Sequence, residues 1–273
     1  MLNGDYEASE FWRTVSCEDL RVFHGKLAIL RKYWPFSRLL YRGHRDATWY
    51  LRSTWERKFR AKDPQKAGLY EVYKLQDPKR QFFRNHLSWF RAEVKRQSPT
   101  SPALAEVARQ NDNILAALGR HHGLYTPLLD WTTDPDVALY FAFFHEERED
   151  GGSVVIWALS LEEHLFDNGY FSWGEWTHSS FSVRQKAQSG VFTWLSDEIF
   201  SDLANYLVNH HHRGKYPRLT KFVMPWSEAP AVDRYLAAQR ISREKLFPKT
   251  RPSDGLAQLD DIAQECNLKL CSS

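Results

Sequence analysis

The stretch LLDWTTDPDVALYFAFF, residues 128–144, sets an acid, a tryptophan and two threonines between an apolar lead-in and an aromatic sequel. Asp130, Trp131, Thr132 and Thr133 bring a carboxylate, an indole and two hydroxyls to four consecutive positions. Such a set suits a polar ligand held where a strand gives way to a helix. Asp130 could equally cap a local turn through its own side chain. Just upstream, RHHGL at 120–124 supplies His121 and His122. Either could carry a proton or donate into a pocket, and either could be a hydrogen-bonded structural histidine. Arg42, in LLYRG, places a guanidinium at the end of a short apolar run, where it can take an anion or close a structural ion pair.

Other chemistries lack their residues. There is no glycine-rich phosphate loop of P-loop or dinucleotide type, no HExxH and no paired CxxC. His210, His211 and His212 are adjacent, so their side chains point in different directions on a helix or a strand, and no nearby cysteine or carboxylate completes a ligand set. No metal is expected.

The elements that must position these groups follow from apolar periodicity and turn chemistry. Residues 10–33 read as a helix and RLLYRG at 38–43 as a short buried strand ending at Gly43. Basic, aromatic helices run from about 49–58 to 97, SPTSP at 98–102 breaks the chain, and 103–119 reads as one further helix ended by glycine. Leu128 and Leu129 end an extended segment, Asp134 is a good N-cap, and Pro135 fits the first helical position. Val137, Tyr140, Phe141 and Phe144 then share one helical face. Strands follow at 151–160, 188–196 and 218–225. Helices in the N-terminal half and strands in the C-terminal half predict an α+β fold rather than alternating βαβ units.

With 273 residues and no Gly/Ser-rich or Pro-rich linker, the chain reads as a single domain over 1–273, with a helical insertion at about 55–120. The formal charge of +3 decides little, but its distribution says more. Between Arg52 and Arg96, Arg and Lys alternate with Trp, Phe and Tyr. A single-stranded nucleic acid groove uses that mixture, which makes Arg52, Arg57, Lys58 and Arg60 candidate contacts. A solvated helix pair with its aromatics turned to the core uses it too. Three cysteines with no framework spacing imply a reducing compartment. The N-terminus lacks the pattern of a signal peptide, and the longest apolar run, 137–144, is too short to span a bilayer. The expectation is a cytoplasmic protein with no membrane partner.

Three pieces read together resemble one family. LLYRGHRDATWYLRSTWERKF at 39–59, LGRHHGLYTPLLDWTTDPDVALYFA at 118–142 and SVRQKAQSGVFTW at 182–194 resemble the FRG domain, and a C-terminal segment fits it as well, so the likeness spans roughly residues 20–257. The FRG pattern is in turn similar to the ADP-ribosyltransferase fold, which implies a mainly antiparallel split β-sheet of that type. There, one strand carries an Arg or His near a Gly, a second a Ser/Thr cluster before a helix, and a third a Glu. Arg42 and Gly43 match the first, Asp130 to Thr133 lie where the second would be, and Gln188 to Gly190 lie where the third would be.

The resemblance implies NAD as substrate and an ADP-ribosyltransferase that modifies a macromolecule, as a toxin or defence effector. The basic, aromatic stretch between Arg52 and Arg96 favours nucleic acid as the acceptor over protein, RNA more than DNA, and an antitoxin or chaperone partner remains open. Arg42 and Gly43, Thr132 with Thr133, and Trp131 or Tyr140 would hold the dinucleotide through a guanidinium, hydroxyls and a stacking surface. Arg42, Asp130 and Gln188 would form the catalytic set. Gln188, Ser189 and Gly190 offer no acid where the third motif has its Glu, so Asp130 is the first substitute and Glu175 the second. The rival reading is a non-catalytic module that senses a nucleotide or a macromolecule.

Overall fold

The β-branched runs at 153–161 and 219–225 become neighbouring strands of one sheet. The computed structural model describes residues 8–9, 12–35, 38–60, 78–144, 152–161, 171–175, 183–195, 203, 218–248, 256 and 258–272. Its strands are β1 (Ala8–Ser9), β2 (Trp12–Ser16), β3 (Arg38–His44), β4 (Leu128–Thr132), β5 (Ser153–Leu161), β6 (Phe171–Gly174), β7 (Gly190–Leu195) and β8 (Leu219–Pro225). They stand in the order β1-β2-β8-β5-β3-β4-β7-β6. Every neighbouring pair is antiparallel except β2 with β8. The mixed α/β fold with a mainly antiparallel sheet is therefore as expected.

The sheet is covered on both sides. β5, SVVIWALSL, is buried over its length apart from its first residue, which is why it reads as a continuous apolar run instead of an alternation. On one face, helices α1 (Leu20–Tyr33), α6 (Pro135–Phe143) and α8 (Ala229–Ala238) close a core that includes Phe23, Leu27, Tyr41, Val137, Ile156, Phe222 and Leu236. A second cluster joins Leu128 and Phe192 of the sheet to helices α2 (Thr54–Arg60), α3 (Pro78–Gln97), α4 (Pro102–Ala108), α5 (Asp112–His121) and α10 (Gln258–Ser272). Short helices α7 (Val183–Ala187) and α9 (Arg243–Leu246) complete the set. The His210–His212 run lies outside the described residues. No helix among the described residues is long and apolar enough to cross a membrane.

Two local expectations are corrected. Residues 10–33 are not one helix: 12–16 form β2, and α1 starts only after Asp19, whose Oδ1 accepts from Val22 N at 2.7 Å. The partner decides this, because β2 gains a parallel ladder with β8, Arg13 opposite Thr220 through Ser16 opposite Val223. Sequence periodicity cannot see that strand, and four of the eight described strands, β1 to β4, fall in the half expected to be helical. Residues 103–119 likewise split into α4 and α5. Arg91 explains the break: its Nη1 donates to the carbonyls of Ala108 and Gln110, each at 2.7 Å, and its Nη2 to Asp112 Oδ1 at 2.7 Å. Those carbonyls would otherwise be orphans of an interrupted helix. Asn111 then caps α5 by accepting from Ile114 N at 3.0 Å.

The start of the helix after residues 128–134 is as the sequence predicts, whereas Phe141 and Phe144, expected on the core face with Val137 and Tyr140, are only partly buried. Asp134 Oδ1 accepts from Asp136 N at 2.9 Å, Pro135 opens α6, and Val137, Tyr140 and Phe143 are buried. Gly43 is where α6 crosses β3: a Cβ there would lie 2.1 Å from the Ala138 carbonyl oxygen and 2.6 Å from Ala142 N.

Candidate active-site cleft

The sheet opens between β3 and β4. Along the other long strands the ladders run five to seven residue pairs, but β3 and β4 meet only at Tyr41 opposite Thr132. Beyond that point the strands diverge and leave backbone groups without ladder partners. A side chain takes one of these: Arg42 Nη1 donates to the Asp130 carbonyl at 2.5 Å. A cleft of about 530 Å³ lies in this split, within the roughly 300–1,000 Å³ of small-molecule and cofactor sites.

Arg42 is fixed from two sides. On a strand, residues two apart share a face, so Arg42 and His44 lie together, and Arg42 Nε donates to His44 Nε2 at 2.9 Å. A guanidinium cannot accept, so His44 Nε2 is a lone pair and the neutral ring carries its proton on Nδ1. A backbone hydrogen bond at Trp49 favours the charged ring. The Trp157 indole nitrogen lies 3.3 Å from the other ring nitrogen, Nδ1. Burial first, then Arg42 and Arg57, hold the His44 pKa well below the usual histidine value, which keeps the ring neutral at neutral pH.

Asp130 sits between two guanidiniums. Arg120, near the end of α5, donates to Asp130 Oδ2 through Nε at 3.1 Å and Nη2 at 2.6 Å, and Arg42 Nη1 is 3.7 Å from the same oxygen. Burial pushes the Asp130 carboxyl up, but Arg120 and Arg42 outweigh it and leave the pKa below the ordinary value. Arg42 is itself pushed down to about 10 by burial, which Asp130 partly offsets, and it remains protonated at neutral pH. Both arginines use Oδ2, and Oδ1 makes no hydrogen bond among the described residues. Among the described residues lining the cleft, Asp130 is the only carboxylate, against six arginines: 42, 45, 52, 57, 120 and 184. Such a site favours an anion of more than one charge.

The structure brings most of the sequence candidates together. Arg42, Gly43, Asp130, Trp131, Thr132, His121 and Gln188 all line the cleft, as do Arg52 and Arg57. Their local roles differ. Gly43 is a packing glycine whose missing Cβ admits α6. Trp131 is buried and donates through Nε1 to Thr193 Oγ1 at 2.9 Å. Thr132 Oγ1 accepts from Asp134 N at 3.0 Å, so it helps form the turn into α6. Gln188 Nε2 donates to the Leu246 carbonyl at 3.0 Å. Beside it, Ser189 holds φ at 47°, a left-handed conformation that is uncommon outside glycine and concentrates at functional turns. His121 is pushed down to about 4 by burial, and its Nε2 is buried with no hydrogen-bond partner among the described residues. A ring with that pKa is a weak base at neutral pH, better suited to hydrogen bonding than to carrying a proton.

Other candidates do not reach the cleft. Tyr140 stacks on Phe144, ring centroids 5.1 Å apart, within the core that covers the opposite face, because its helical position points it there; its neighbour Phe141 lines the cleft instead. Thr133 is outside the lining and donates its backbone N–H to Ser189 O at 3.1 Å. His122 is turned to α10, its Nδ1 2.7 Å from Asp260 Oδ1. Lys58 lies over the Tyr125 ring at 5.7 Å, and the Arg60 side chain lies outside the described ones. Glu175, beyond β6 near the sheet's edge, pairs with Arg38 and does not line the cleft. Sequence reasoning passed over Arg120, Arg184 and His44. Arg120 stands next to the two histidines that drew attention, and its charge opposite to Asp130 across one helix-to-strand loop was the available signal. His44 could have been found from its period-two spacing to Arg42, while nothing local marks Arg184.

The matched family reaches the same strands. Residues 37–151 match the family model described as FRG domain. No curated protein and no solved structure matches the chain. The stretch that is similar to the FRG domain contains β3, β4 and α6, and with them Arg42, Asp130 and the crossing at Gly43.

Proposed function

We propose that the cleft binds NAD and that the protein is an ADP-ribosyltransferase modifying a macromolecule, nucleic acid in preference to protein, as an effector of toxin or defence type. One observation carries this reading. The strands bearing the three motif-like elements, β3, β4 and β7, are far apart in sequence yet adjacent in the sheet, and the split between the first two holds a multiply cationic cleft around one carboxylate. A pyrophosphate carries two negative charges and is the natural match for convergent guanidiniums.

In the proposed reaction an acceptor oxygen or nitrogen bonds C1′ of the ribose that bears nicotinamide, while the C1′–N bond breaks. Nicotinamide leaves neutral with that electron pair, and the acceptor proton passes to water. Positive charge develops on the ribose, and a fixed carboxylate stabilises it. Asp130 fits that task because its arginines hold Oδ2 and keep it ionised while Oδ1 makes no described hydrogen bond. Arg57 and Arg184 stand where they can take phosphate. A nucleotide sensor is the rival, favoured by the absence of an acid at Gln188 to Gly190.

The test is incubation with NAD labelled in its adenylate phosphate, with total RNA, single-stranded DNA and extract proteins in separate reactions. Label fixed to one acceptor with stoichiometric nicotinamide release is expected, reduced in Asp130→Asn by on the order of 100-fold or more, the scale of losing one charge-stabilising group. A parent protein that binds NAD but releases no nicotinamide and fixes no label leaves the sensor reading in its place.

A further inference from the structure

The loop from β3 to α2, residues 45–53, forms one rim of the cleft. It presents Trp49 and Tyr50 side by side, 37% and 58% exposed. Each ring carries a guanidinium on one face: Arg45 Cζ lies 4.9 Å from the Trp49 centroid and Arg52 Cζ 4.7 Å from that of Tyr50. The rim is held by its backbone and by neighbouring strands. Ala47 N donates to Ser153 O at 2.9 Å, Lys221 Nζ donates to Ala47 O at 2.7 Å, and Asp46 Oδ1 accepts from Thr48 N at 2.7 Å. His44 meets the edge of Trp49 at 6.0 Å.

Folding alone does not account for two adjacent aromatic rings fixed at solvent with cations against them. Arg52 Nε is in addition a buried donor without a partner among the described residues, a state that normally calls for a ligand atom. Rings backed by guanidiniums on a fixed platform are what single-stranded nucleic acid uses, bases stacking on the aromatics and phosphates meeting the arginines. An acidic peptide would engage the arginines and leave the ring faces idle.

We propose that the Arg45–Arg52 rim is a base-stacking site that brings a single-stranded nucleic acid acceptor to the mouth of the cleft. The acceptor role rests on the transferase reading; the binding itself does not, and it is measured without NAD. The probe is a fluorescently labelled single-stranded RNA of mixed sequence, about ten nucleotides long, in the range of such sites. Binding to the full chain is expected to weaken about tenfold or more in Trp49→Ala and in Tyr50→Ala, and to be retained in Trp49→Phe. Arg45→Gln and Arg52→Gln should each lower the slope of log affinity against log salt by about 0.7, one single-strand phosphate contact. Thermal unfolding of each variant guards against a folding defect, and Tyr50→Ala, at the more exposed ring, is the variant with least structural consequence.

Three results overturn the proposal: no binding by the parent, undiminished binding by both alanine variants, or equal competition by a duplex of the same sequence. Loss of NAD binding with RNA binding intact would reassign the rim to the dinucleotide. A parent that binds RNA through the rim but consumes no NAD refutes the transferase reading alone. One that consumes NAD and ignores RNA refutes the rim alone.

Discussion

Replacing Gly43 with alanine separates two roles that one residue could have beside the cleft. The added Cβ would stand 2.1 Å from Ala138 O and 2.6 Å from Ala142 N, whereas ordinary contact begins at 3.4 Å. The obstacles are backbone atoms of α6, which no rotamer change can move aside. Either the helix retreats from β3 by about 1.3 Å, the gap between 2.1 and 3.4 Å, or the strand bends away. Both loosen the packing of Tyr41, Val137, Ala138 and Ala142 in the same core. Overpacking costs about 1–3 kcal/mol, and a backbone obstacle places Gly43→Ala at the upper end, about 3 kcal/mol. Urea unfolding followed by circular dichroism reads this directly. With a slope of roughly 1–3 kcal/mol per molar, the midpoint should fall by about 1 M or more. An unchanged midpoint together with lost NAD binding would refute the packing argument and show that the glycine serves the ligand's approach.

Two further outcomes are expected. Asp134→Ala removes the side chain that caps α6 at Asp136 N and should lower stability by about 1 kcal/mol, measured as a urea midpoint shift. His86 is fully buried and pushed down to about 4 by that burial, so the folded state holds it neutral while the unfolded chain titrates near the ordinary 6.5. The unfolded state thus binds more protons below pH 6.5, and the stability is complete above that value and lost as pH falls toward 4. At pH 5 the loss is about 2 kcal/mol, and His86→Leu should remove that part of the difference between unfolding free energies at pH 7 and pH 5.

Much of the fold was legible because local chemistry and tertiary context agreed. The Asp134–Pro135 start of α6, the buried run of β5 and the short strand holding Arg42 each carry their own signal. β2 was not legible, since what makes Arg13 to Ser16 a strand is β8, some 200 residues away. The interruption between α4 and α5 depends on Arg91 reaching across from α3, which no window of the sequence contains. The same holds for the site. Arg42 and Asp130 can be picked out by type and setting, but the clamp by Arg120 and the tautomer of His44 are facts of three dimensions. Tyr140 misled because an aromatic beside a polar cluster resembles a stacking surface, and the turn of one helix decides which of two neighbours faces the cleft.

The meeting of β3 and β4 at a single residue pair makes the cleft an unzipped seam rather than a hollow between loops. Its walls are strands anchored on their outer sides by full ladders to β5 and β7. Arg42 acts there as a prop: by occupying the Asp130 carbonyl it claims a group that strand pairing would otherwise use. Such a seam offers an entering molecule inward-facing backbone hydrogen-bonding groups without asking either wall to break a bond it already has.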